Sequence, residues 1–419
     1  MNTLTIKNFG PIKDISLNLK KVNLLIGTQG SGKSTIAKVL SIMNDPDLVM
    51  ADNLDKFLVD YNINYDINEN TFMEYKTPEF NVTIESNQIK HSLKKTLNDE
   101  ELRKFVLSKL KISINDINKW FNTPKESLKS ESNEIEQDLI NKGFEITSDK
   151  IEDTQEYIKF VFNYPIIQLA STLFLESCIY IPSERNFFAL LAENIFGLLA
   201  ENIISSGKKD MTVLPKCILK FGRYFEQAIK SIRKDDAVDI PFIEELKFIR
   251  REGRNEIIYK GVSNSLTQGS SGFQSSIPLA IVCLQNKNSD RSLFIIEEPE
   301  QNLYPVTQYN MVKFLAENCL NQNNKLLITT HSPYILTSFV NLIQAHSSGA
   351  IHPKLTAKLI PKTQWIDFND VSAYFIDKGS AKDILDYEEK TIFAEEIDAA
   401  SSDIANEYNQ LLEIAYRNR

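Results

Sequence analysis

The chain has 419 residues, with 47 Lys and Arg against 56 Asp and Glu, a formal net charge of −9 and 42% hydrophobic residues. This balance is ordinary for folded domains; it excludes an intrinsically disordered chain and leaves contact with nucleic acid to a local basic patch. Four cysteines, Cys178, Cys217, Cys283 and Cys319, lie far apart without a CxxC pair, which excludes a disulfide framework and zinc-finger spacing and suits a reducing, cytoplasmic setting. The N-terminus alternates and no apolar run reaches ~18 residues, so neither a signal peptide nor a membrane span is expected.

Leu4, Ile6 and Phe9 alternate with polar residues, Gly10-Pro11 makes a turn, and Ile15, Leu17 and Leu19 alternate again. Val22 to Ile26 is a short buried run ending at Gly27, and a helix is predicted over 33–43. Residues 51–170 change character. Phe72, Tyr75, Phe80, Val82, Ile84 and Ile89 fall in short strands with a hairpin turn at Ser86-Asn87. Leu102, Val106, Leu110 and Ile114 then take helical spacing before a polar loop over 122–137. This segment reads as an α+β insertion. A strand is predicted over 174–181, an apolar helix over 187–204, and a hairpin over 247–261 turning near Gly253. Apolar strands follow at 293–296 and 325–330, and an amphipathic helix is predicted over 393–416.

The motifs fall between these elements. GTQGSGKST, from Gly27 to Thr35, satisfies GxxxxGK[ST] between a strand and a helix. Its glycines let backbone N–H groups wrap phosphate oxygens at a positive helix end; Lys33 supplies a cation and Ser34 a hydroxyl for Mg²⁺. LFIIEEPEQNLYP, from Leu293 to Pro305, is an apolar strand ending in two acids: Glu297 to help hold Mg²⁺, and Glu298 to polarise an attacking water. SSGFQS covers Ser270 to Ser275; read alone it is either a flexible Ser/Gly loop or a helix start able to bind a γ-phosphate. His331 ends the strand at 325–330, where a histidine can donate to a γ-phosphate. His91, His346 and His352 read as surface residues.

Four motifs in this order resemble the ABC-type ATPase heads of the SMC and RecF kind, across roughly residues 1–45 and 245–340. NFGPIKDISLNL and NLLIG near the N-terminus are typical of that group. The resemblance implies an α/β ABC-type P-loop head with a mixed α+β insertion and a helical lobe. Core parts are expected over 1–50 and 244–419, the insertion over 51–170, and a core strand with the lobe over 171–243. It implies ATP and Mg²⁺ held by Gly27, Gly30, Ser31, Gly32, Lys33, Ser34 and Thr35, with Glu297 beside the metal and Glu298 and His331 catalytic. It also implies two heads sandwiching ATP, with Ser271, Gly272 and Gln274 reaching the partner's nucleotide. The loop from Glu300 to Leu303 would face the dimer, or simply turn before Pro305.

Glu297 stands where the group usually has Asp, and Gln29 where Asn is common. YIPSERN, from Tyr180 to Asn186, resembles segments of ATPases of the overcoming-lysogenization-defect group. Its Arg185 could reach nucleotide, a partner's charge or a structural ion pair. Members of that group add a Toprim nuclease needing an Asp-x-Asp set. Asp367, Asp370 and Asp377 do not form one and read as turn and strand-edge residues among the 88 that follow His331. The expectation is therefore an ATPase resembling the ATPase subunits of the PARIS and Septu antiviral systems, working as sensor and scaffold beside a separate effector. A RecF- or SMC-like repair ATPase binding DNA is the alternative. Lys208, Lys209, Arg223, Arg233, Lys234, Arg250, Arg251 and Arg254 are its basic residues, or solvated faces. The long segment between Met50 and Ala170 argues against a transporter subunit.

Overall fold

Apolar side chains line both faces of three strands because these strands run through the middle of a parallel sheet that is covered on both sides. The computed structural model describes residues 2–49, 51–92, 175–191, 214–233, 236–393 and 395–416. The helical spacing from Leu102 to Ile114, the loop at 122–137 and most of the apolar helix over 187–204 lie outside them.

In chain order, β1 (Asn2–Phe9), β2 (Ile12–Leu19) and β3 (Val22–Gly27) precede α1 (Lys33–Met43) and α2 (Asp55–Asp60). Next come β4 (Phe72–Lys76), β5 (Asn81–Glu85), β6 (Gln88–His91), β7 (Ser177–Ile181), α3 (Asn186–Leu191) and α4 (Lys216–Ser231). The strands β8 (Ala237–Asp239), β9 (Leu246–Arg251), β10 (Arg254–Tyr259) and β11 (Val262–Ser265) lead into α5 (Ser271–Asn286). Then β12 (Ser292–Glu297), α6 (Pro305–Cys319), β13 (Lys325–Thr330), α7 (Pro333–Ile351) and α8 (Pro353–Leu359) alternate. β14 (Val371–Asp377), β15 (Ser380–Asp383) and α9 (Glu395–Tyr416) follow.

Six strands form the central sheet in the order β15-β14-β3-β13-β12-β7, parallel except for β15. Alternate residues of its middle strands enter two different cores. Val22, Leu24, Ile26, Phe294, Ile296, Leu326 and Ile328 pack with the helices α4 to α7. Leu25, Leu293, Ile295 and Leu327 pack with α1 and the apolar faces of β1, β2, β4 and β5. A second sheet, antiparallel in the order β2-β1-β4-β5-β6, covers that side, and a third, β11-β10-β9-β8, holds the predicted hairpin at Gly253.

One boundary moves. Residues 72–91, read as the beginning of the insertion, hydrogen-bond into the sheet of β1 through the register Thr3↔Lys76 to Lys7↔Phe72. They extend that sheet because β4 has an apolar face, with Met73 and Tyr75 buried beside Leu4 and Ile6. The turn at Ser86-Asn87 forms as expected, with both residues at positive φ, 47° and 70°.

Candidate nucleotide site

The strands β3, β13 and β12 end side by side, with Thr330 paired to Ile26 and Glu297 to Thr329. Everything that sequence reading placed at a strand end therefore meets along one carboxyl edge of the sheet, where open parallel sheets bind ligands. A Cβ at Gly27 would lie 2.1 Å from the carbonyl oxygen of Ile376 on the neighbouring β14, so only glycine fits. Gly32 precedes α1 at φ 105°, and a Cβ there would meet Ile12 Cδ1 at 2.4 Å. The first turn of α1 has no side-chain cap and no acidic residue, which leaves its N–H groups available to an anion. Gly30 sits at φ 74° with open space around it. Ser31, Gly32, Lys33 and Thr35 are buried, and Ser34 is exposed. Lys33 Nζ donates to the carbonyls of Gly27 at 2.9 Å and Thr28 at 2.8 Å and lies 3.3 Å from Ser31 Oγ. Burial pulls its pKa down to about 8, against the opposing charges of Glu298, Glu300 and Glu297.

Glu297 is 2% exposed. Tyr180 donates its hydroxyl to Oε1 at 2.8 Å, and Ser183 Oγ lies 3.5 Å from Oε2. Burial raises the Glu297 pKa, opposed by the charge of Lys38 and by hydroxyl groups of Tyr180 and Ser34. Ser34 and Glu297, the two residues read as metal-binding, are thus brought together. Tyr180 was missed as a site residue. The signal was there in YIPSERN, since β7 lies beside β12 with Tyr180 paired to Ile295.

Glu298 takes φ 44°, a left-handed conformation uncommon for a non-glycine residue. Its N–H donates to Thr329 O at 2.9 Å, and its Oε1 lies 3.4 Å from His331 Nε2. The other ring nitrogen of His331, Nδ1, is 3.5 Å from Lys33 Nζ. One line of contacts thus joins the glycine-rich turn to the histidine and the second acid. Glu300 serves its own chain here: its Oε1 accepts from Thr330 Oγ1 at 2.7 Å and from His331 N–H at 2.9 Å.

The SSGFQS segment starts α5. Ser270 caps it by accepting from Phe273 N–H, and Ser271 is exposed in its first turn. Gly272 presses on the loop after Glu298, where a Cβ would lie 2.8 Å from Asn302 O, and Ser275 Oγ donates to Gln301 O at 2.9 Å. Gln274 Nε2 donates to the carbonyls of Thr267 and Gly269, so its amide nitrogen shapes the turn that presents Ser271. Among the described residues, no hydrogen bond joins Ser271, Gly272 or Gln274 to the phosphate-binding turn of the same chain.

Two further readings change. His91 is 4% exposed and stacks on Phe80 with centroids 5.5 Å apart, so it is a core residue, and burial holds its pKa at about 4. Arg185 is fully buried and donates to backbone carbonyls; among the described residues it forms no ion pair. Asp367 caps a short turn and Asp377 ends β14, as expected. Of the basic residues, Arg250, Arg251 and Arg254 share the tip of the β9–β10 hairpin, with Arg251 3.5 Å from Glu256; Lys208, Lys209 and Lys234 lie outside the described residues. No described helix is long and apolar enough to cross a membrane.

A glycine-rich turn feeding a helix, beside a strand that ends in paired acids, defines a P-loop ATPase of mixed α/β architecture. The AAA ATPase domain family matches residues 1–336, and the chain belongs to that family; its activity is ATP hydrolysis. No curated protein matches the chain. Among solved structures it is similar to the Smc head domain with an extended coiled coil, bound to the C-terminal domain of ScpA, from Pyrococcus furiosus. That similarity has 11% identity, 93% of this chain and 98% of the other covered, and TM-score 0.39. The SMC head domain from Thermotoga maritima aligns at 10% identity over 91% of this chain and 97% of the other, TM-score 0.37. An ATP-binding cassette protein in a dimeric post-hydrolysis state with ADP and Pi aligns at 10% identity over 91% and 97%, TM-score 0.32.

Proposed function

We propose that the chain is the ATP-driven sensor and scaffold of a two-component bacterial defence system, in which its nucleotide state controls a separate effector. The observation that carries the ATP chemistry is the contact line from Lys33 through His331 to Glu298. The residues fit Mg·ATP: Gly27 and Gly32 leave no room for side chains, and the Ser34 hydroxyl acts on the Glu297 carboxylate. Gly27, Gly30, Ser31, Gly32, Lys33 and Thr35 would hold the phosphates, and Ser34 and Glu297 the ion, which when bound neutralises phosphate charge. Glu298 orients the attacking water and takes its proton; His331 donates to the γ-phosphate. Ser271, Gly272 and Gln274 complete the site of a second copy. In favour of that arrangement, Ser271 is exposed and its neighbour Gly272 packs on the loop next to the catalytic acid.

The output surface is α9, whose Tyr408, Leu411 and Ile414 are exposed among acidic residues. A partner docked there reads the ATP state without touching nucleotide. The test is co-expression with the protein encoded beside this chain. Growth arrest or nuclease activity should require both proteins, and Lys33→Ala should abolish it. A second reading, DNA binding in repair, draws on the three arginines at the β9–β10 tip. DNA-stimulated ATP turnover lost in an Arg250, Arg251 and Arg254 triple alanine variant, with no dependence on a neighbour, would favour it instead.

A further inference from the structure

Arg185 is 0% exposed, and among the described residues none of its hydrogen bonds goes to a side chain. Its Nη1 donates to Glu297 O at 2.6 Å and Pro182 O at 3.1 Å, its Nη2 to Glu298 O at 2.6 Å, and its Nε to Ser275 O at 3.0 Å. A buried guanidinium is costly unless its donors are satisfied, and here four of its five N–H donors meet backbone carbonyls from three separate segments. Burial lowers its pKa to about 10, against the charges of Glu300, Glu298 and Glu297, so it stays charged near neutral pH.

The acceptors sit where position matters. Glu298 holds a left-handed backbone, which is strained for a non-glycine residue and persists only if its neighbours over-determine it. Its N–H is fixed by Thr329 O and its carbonyl by Arg185. With both backbone groups pinned, the side chain is aimed at His331. The same guanidinium grips Ser275 on α5, whose hydroxyl holds Gln301 and whose preceding turn carries Ser271 and Gly272.

We infer that Arg185 is a positioning residue for ATP hydrolysis: it sets the backbone of Glu298 and ties it rigidly to the start of α5. The inference rests on the reading of Glu298 as the base. Lysine keeps the charge but cannot reach four carbonyls in a plane, so Arg185→Lys releases the tie while retaining a buried cation.

The test is a double-mutant cycle on steady-state turnover. Arg185→Lys should lower kcat at least tenfold and leave the KM for ATP within about twofold. In a Glu298→Gln background the same substitution should have under a twofold further effect, because the group it positions is already gone. A purely structural role would multiply through both backgrounds. Arg185→Gln serves as the second variant, and wild-type affinity for a fluorescent ATP analogue certifies the fold of either. Multiplicative losses, a loss carried by KM, or unchanged turnover in a folded variant would overturn the proposal. Unimpaired hydrolysis by Glu298→Gln alone would overturn the base assignment, and this proposal with it.

Discussion

A single carboxylate oxygen, Glu300 Oε1, accepts both the backbone N–H of His331 at 2.9 Å and the hydroxyl of Thr330 at 2.7 Å. The loop after the second acid therefore holds the histidine at the end of the adjacent strand. Hydrogen bonds to a charged group are each worth about 1.5–3 kcal/mol, and deletion takes the acceptor from both donors. Glu300→Ala should destabilise the chain by about 2–4 kcal/mol and lower kcat. Glu300→Gln, which keeps an acceptor oxygen, should lose less of both. Urea unfolding and steady-state ATPase assays check this; equal losses in the two variants would show that the acceptor is not what matters.

Adjacent acids need separate tests, because one residue of register decides their roles. Glu297 is buried under the Tyr180 hydroxyl, while Glu298 points at His331. Glu298→Gln should keep ATP binding and slow turnover by about 10²–10⁴-fold, the usual worth of a positioned base. Single-turnover assays on both variants decide the register. If Glu297→Gln stops the chemistry and Glu298→Gln does not, the assignment is reversed.

His91 predicts the acid limb of stability. Its pKa is about 4 in the folded chain against an ordinary 6.5, because burial against Phe80 disfavours the imidazolium. The native state binds fewer protons than the unfolded chain between those values, so this contribution is complete above about pH 6.5 and is lost as pH falls toward 4. Its size is about 3 kcal/mol. His91→Phe keeps the stacked ring and removes the titration. The urea midpoint of the variant should fall less between pH 7 and pH 4.5 than that of the wild type; identical falls would rule His91 out as the cause.

The strand ends and the phosphate turn were legible because their signals are local. An apolar run followed by GxxxxGKS, or by two acids, states its own geometry. The pairing of β1 with β4 joins residues some 70 positions apart, and periodicity cannot say which edge a strand will find. Arg185 was misread for a different reason. Its acceptors are backbone carbonyls, which every residue has, so no pattern of side chains announces them. His91 was misread because β6 is short and polar, with just one buried position, so alternation gave little to read.

A shared site makes the strongest demand on the proposed dimer. Lys33→Ala removes the cation that the phosphate turn encloses and should abolish ATP binding at micromolar concentration in that chain's own pocket. Ser271→Arg leaves the pocket intact and places a large cation at the exposed start of α5, where the partner's γ-phosphate would sit. Each variant alone should be inactive, since every site in its homodimer carries a defect. A mixed dimer holds one site with both defects and one with neither. With random pairing of equal amounts, about half the dimers are mixed and half of their sites are intact, so roughly a quarter of wild-type turnover should return. Co-purification through two different tags isolates the mixed species and measures its turnover directly. Mixed dimers that form and remain inactive would mean that Ser271 does not act on the neighbouring chain's nucleotide.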